Sequence, residues 1–123
     1  MLLDDFYKVE TLKVLDENSI ELTIQLNKDH EIFKGHFPNY PVTPGVAMLQ
    51  IIKNGLENFL SQQLQLQSSS NIKFLNLVNP NEEKTLLFKI DYTQEGELLK
   101  VKNSTSFRDG RSVLKCNVTF VKK

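Results

Sequence analysis

Between Gly35 and Val46 the chain reads GHFPNYPVTPGV, a run that holds the residue types from which proton-transfer chemistry can be built. His36 supplies an imidazole, whose ordinary pKa of about 6.5 suits a general base working near neutral pH. Pro38, Pro41 and Pro44 restrict φ on its C-terminal side, so the segment that presents the imidazole has little freedom. Gly45 has no side chain to keep a ligand from its backbone amide, and amides in the first turn of a helix lack an intrahelical acceptor. Such an amide can polarise a carbonyl. A plainer reading stands beside this one: a histidine in a proline-rich loop is commonly a packing or surface residue, and Pro-Gly is common punctuation at a helix start. Asp29, His30, Glu31 and His36 match no recognised ligand spacing and no nucleotide motif occurs, so neither a metal nor a cofactor is expected.

The elements around this run follow from periodicity. Ile20, Leu22, Ile24 and Leu26 alternate with Glu21, Thr23 and Gln25, the period of a half-buried strand over Ser19–Leu26, and residues 6–14 form a weaker strand candidate. Residues 27–43 lose the alternation and gather Gly and Pro, which predicts a structured loop of a length that is uncommon unless functional. The loop leads into one long helix with Thr43 as N-cap and Pro44 at the first helical position, running to about Leu64. Its first turns, Val46 to Ile52, are apolar almost all round and predict burial on every side. The Gln- and Ser-rich stretch 62–70 reads as the helix end and a loop. Strands are then expected over 72–78, 85–92, 98–107 and 113–121, with turns at Asn79-Pro80-Asn81, Glu95-Gly96 and Asp109-Gly110.

Two strands, a loop, one buried helix and four antiparallel strands describe an α+β domain in which a curved antiparallel sheet wraps a long central helix. A chain of 123 residues fits one such domain, 1–123. Fifteen basic residues balance fifteen acidic ones, so no global charge argues for nucleic acid or a membrane surface. Without a signal-like start or a spanning window, a cytoplasmic home is expected. Cys116, alone and set among Leu114, Val118 and Phe120, reads as an inert strand residue.

The twelve contiguous positions from Gly35 to Val46 resemble the signature of the bacterial 3-hydroxyacyl-acyl-carrier-protein dehydratases, and the flanking order of strands and helix is similar. The resemblance implies a hotdog fold, dimerised edge to edge between two curved sheets, with an acyl-pantetheine tunnel along the protomer interface. It implies that His36 takes the α-proton of a 3-hydroxyacyl thioester while the Gly45 amide holds the thioester oxygen. Phe37, Val46 and Leu49 would then line the tunnel, although ordinary core packing is the safer account of them. Substrates would be carried by an acyl carrier protein or by CoA, in fatty-acid or polyene-type lipid synthesis. Acidic carriers should meet a basic rim, for which Lys34, Lys53, Lys73, Arg108 and Arg111 are candidates.

One position departs from that family. Fourteen residues after the histidine the family uses Glu or Asp to protonate the leaving hydroxyl, and here that place is Gln50. An amide donates a hydrogen bond but delivers no proton at physiological pH. Three accounts stay open: His36 returns the proton itself, another group supplies the acid, or the domain binds acyl chains as a noncatalytic partner of an active dehydratase. A thioesterase, with Gln50 orienting water, is a further alternative. Glu57 lies seven residues beyond Gln50, about 10 Å along a helix, and is a poor substitute.

Overall fold

The computed structural model describes residues 5–30, 43 and 45–123. Among the described residues six strands and one helix occur in the order β1 (Tyr7–Asp16), β2 (Ser19–Leu26), α1 (Gly45–Leu60), β3 (Leu64–Phe74), β4 (Thr85–Glu95), β5 (Leu98–Phe107) and β6 (Ser112–Lys122). The strands make one sheet, ordered β1-β2-β4-β5-β6-β3, with every neighbouring pair antiparallel. Tight turns join β4 to β5 and β5 to β6, with Gly96 at φ 62° and Gly110 at φ 97°, a region that a side chain would disfavour. Register shifts interrupt both outer ladders, β1–β2 and β3–β6, and such bulges bend a strand and increase its twist.

Alternation does the burying. Ile20, Leu22, Ile24 and Leu26 of β2 pack in one core with Leu86, Phe88 and Ile90 of β4, Leu99 and Val101 of β5, and Cys116, Val118 and Phe120 of β6. The helix meets them along a single stripe of Ala47, Met48, Ile51, Ile52, Gly55 and Leu56, paired residues recurring every four positions. A β-carbon on Gly55 would collide with Leu22, so the glycine sets how closely α1 sits on β2. Burial on every side is therefore not what the apolar first turns produce: Val46 is 73% exposed, and Leu49 is only partly buried.

Two boundaries differ from expectation for physical reasons. The helix closes at Leu60 because Ser61 takes φ 54°, a left-handed conformation that ends α-helices. It has 16 residues, so its length falls short of the long helix expected. Residues 64–70, expected as loop, form most of β3, which ends at Phe74 and so takes in only the first three residues of the strand expected over 72–78. Among the described residues β3 pairs only with β6 and only Leu64 is buried along it, and its middle, residues 67–71, holds no apolar residue from which a strand could be read. Cys116 is buried in β6, and burial raises its thiol to about 11, which keeps it protonated and unreactive at neutral pH.

Candidate active site

Gly45 opens α1, where its amide lies among those without an intrahelical acceptor. The Phe74 ring occupies the space that a side chain at position 45 would need. The glycine thus lets the end of β3 close on the helix start. Thr43 is held there from the other side, its amide donating to the Val78 carbonyl at 2.8 Å. The Thr43 hydroxyl is buried and makes no hydrogen bond to the described residues, so it does not cap the helix as the sequence suggested. Val46, Phe74, Leu75 and Leu77 are all exposed beside or near this junction, with Leu77 at 66%.

Gln50 lies one turn into α1 and is partly buried. Its Nε2 donates to Asn54 Oδ1 at 2.8 Å, the neighbour one turn on along the same helix face. Asn54 Nδ2 in turn donates to the Tyr7 hydroxyl on β1 at 3.2 Å. Tyr7 is held edge-on against Phe6, with ring centroids 5.6 Å apart. Burial raises the phenol's pKa above its usual value, outweighing the opposing effect of the Asn54 hydrogen bond, so the hydroxyl keeps its proton at neutral pH. Tyr7 also lines a hollow of about 830 Å³ with Lys8, Leu26, Lys28, Pro80 and Lys84. Of the residues lining that hollow, Tyr7 is the one that also belongs to the Gln50 chain. Sequence reasoning reached Gln50 but not Asn54 or Tyr7. The spacing of Asn54 one turn after Gln50 was the available signal; nothing local marks a tyrosine 47 residues away.

The other expected residues divide. His36, Phe37 and Lys34 lie outside the described residues, as do Glu31 and Pro44. Asp29 and His30 follow β2, where His30 stands edge-on to Phe6 with centroids 5.9 Å apart, and no cluster suited to a metal occurs among the described residues. Glu57 is engaged elsewhere, accepting from the Leu64 amide at 2.8 Å, which ties the end of α1 to β3. Of the basic candidates, Arg111 is taken up by Asp109 at 2.8 Å and Glu83 at 3.0 Å, and it stacks on Phe107. Arg108 stands 4.0 Å from Glu10, and Lys53 is partly buried on the helix. Lys73 is exposed opposite Lys115, and the two share a hollow of about 290 Å³ with Lys102, Asn71, Ser104 and Asn117. No carboxylate is among the residues lining it.

The model of a family described as ApeI dehydratase, ApeI-like, matches residues 12–111. The 3-hydroxyacyl-[acyl-carrier-protein] dehydratase FabZ of Lactococcus lactis subsp. lactis is 26% identical over 120 residues, which cover 92% of this chain and 78% of the relative. FabZ of Fusobacterium nucleatum subsp. nucleatum is 30% identical over 98 residues, 76% of this chain and 68% of that protein. Among solved structures, the dehydratase heterocomplex ApeI:P from Xenorhabdus doucetiae superposes with a TM-score of 0.76 at 20% identity, covering 93% of this chain and 96% of that one. A hypothetical thioesterase with coenzyme A from Streptococcus pneumoniae superposes at 0.67 and 14% identity, covering 95% and 85%. These likenesses, with the antiparallel sheet packed on one helix, establish the hotdog fold.

Proposed function

Since the chain belongs to the ApeI-like dehydratase family, whose model spans residues 12–111, we propose that it interconverts 3-hydroxyacyl and 2-enoyl thioesters carried by an acyl carrier protein or by CoA. The family match carries this reading. His36 acts as general base on the α-carbon, and the Gly45 amide holds the thioester oxygen as enolate charge develops, a contribution on the order of 3 kcal/mol. Gln50 meets the β-hydroxyl, and Phe37, Val46 and Leu49 line the acyl path. Dehydration without a carboxylic acid at position 50 proceeds with His36 returning its proton to the departing oxygen.

The same reading makes the chain one hotdog domain that works as a homodimer. β3 leaves a row of backbone donors and acceptors without a strand beside it, and Leu66, Ile72, Phe74, Leu75 and Leu77 are exposed along it and just beyond it. An apolar strip next to an open strand edge favours association with a second copy. Light scattering is expected to give twice the 14.2 kDa chain mass. A monomer at micromolar concentration would remove the dimer from this account. Lys73, Lys102 and Lys115 are the basic group best disposed to meet an acidic carrier, because no carboxylate lines the hollow they share.

The experiment that tests the activity is hydration of a crotonyl thioester on pantetheine or on carrier protein, followed by loss of enoyl absorbance. Turnover by the purified chain supports the dehydratase. Gln50 favours a second reading, a noncatalytic acyl-binding subunit that pairs with an active dehydratase. A chain that binds the thioester without turnover, yet raises the rate of an added dehydratase, would establish that reading instead.

A further inference from the structure

We infer that Tyr7 and Asn54 are positioning residues that decide which end of the Gln50 amide faces the bound thioester. The inference rests on the proposal that Gln50 meets the β-oxygen of the substrate.

Three polar side chains from two elements form one line, Gln50 to Asn54 at 2.8 Å and Asn54 to Tyr7 at 3.2 Å. Each amide has one donor end and one acceptor end, so fixing the direction of one bond fixes the other. With Asn54 donating to Tyr7, Gln50 must donate to Asn54, and its Oε1 is the end left for substrate. No hydrogen bond to that oxygen is made by the described residues. A carbonyl oxygen accepts a hydrogen bond from a hydroxyl or a water, but it repels an oxygen that is gaining negative charge.

The reverse direction uses the same heavy-atom positions. The Tyr7 hydroxyl donates to Asn54 Oδ1, Asn54 Nδ2 donates to Gln50 Oε1, and Gln50 Nε2 is left to donate to substrate. Only a hydroxyl can end the chain in both directions, because it both donates and accepts. Breaking the bond from the β-carbon to oxygen puts charge on the oxygen, so the reaction needs the second direction. The substrate's bound hydroxyl tolerates either. Tyr7 is suited to the task because its burial keeps it protonated, whereas a phenolate could only accept.

The test compares wild type with Tyr7→Phe and Asn54→Ala, using Tyr92→Phe as control, since the Tyr92 hydroxyl bonds the Glu17 carbonyl away from this chain. Two readouts are taken: the side-chain amide NMR signals of Gln50, and kcat and KM for crotonyl-pantetheine hydration. Tyr7→Phe and Asn54→Ala are expected to shift the Gln50 signals and lower kcat by about tenfold, the effect of one buried hydrogen bond, with KM within about twofold. Tyr92→Phe changes neither. Gln50 signals unmoved by Tyr7→Phe would overturn the chain itself. Shifted signals with unchanged kcat would overturn its positioning role and leave the dehydratase reading standing. If wild type gives no turnover, the functional reading fails separately. A Gln50 shift on adding crotonyl-pantetheine that Tyr7→Phe diminishes would then still support the chain as a ligand-holding device.

Discussion

Replacing His36 with alanine is expected to lower crotonyl thioester hydration by about 10²- to 10⁴-fold, the usual worth of a positioned general base. The effect should fall on kcat, because the imidazole handles a proton in the transition state and contributes little to holding the acyl chain. It should also be larger here than where a carboxylic acid shares the proton transfers. On the proposed mechanism, with Gln50 at the acid's place, one imidazole would carry both the removal and the return of a proton. Activity that survives unchanged in His36→Ala would end the mechanism.

The opposite change is expected from Gln50→Glu, a rise in turnover approaching about 10²-fold, toward the lower end of what general acid catalysis contributes. The surroundings can accept the carboxylate without rebuilding. Asn54 turns its amide so that Nδ2 donates to the new side chain, and Tyr7 donates its hydroxyl to Asn54 Oδ1, with heavy atoms where they are. Part of the cost of desolvating a carboxylate is offset by that donor. The comparison separates the functional alternatives. Turnover in both proteins, greater with the acid, describes an enzyme that lacks one catalytic group. Turnover only in Gln50→Glu describes a partner subunit on a dehydratase scaffold. No gain in Gln50→Glu would mean that the proton reaches the hydroxyl without help from position 50.

What the sequence made legible was whatever one face of an element records locally. The strict alternation of β2 and the turns at Gly96 and Gly110 appear where periodicity and turn chemistry put them. Gly45 and Gln50 fall on the helix start as the motif required. Residues 64–70 of β3 escaped notice because their Gln- and Ser-rich run resembles a loop, whereas the last residues of β3 fell within the strand expected from Ile72. The helix end was missed because a serine, and not a glycine, takes the left-handed position at residue 61. The contact between Tyr7 and Asn54 depends on how β1 lies across α1, a tertiary fact with no local trace.

The place of β3 in the sheet also bears on how the chain is made. β3 is complete by Phe74, but its strand partner among the described residues, β6, begins at Ser112. On a ribosome adding about 5–20 residues per second, β3 therefore waits a few seconds with both edges bare. An apolar strand in that position would recruit neighbouring nascent chains. Seven residues between Gln65 and Asn71 are polar but for Leu66, and Asn71 breaks the extended conformation at φ 51°. The polar run that hid the first part of β3 as a strand is the run that lets it stay single until the C-terminus arrives.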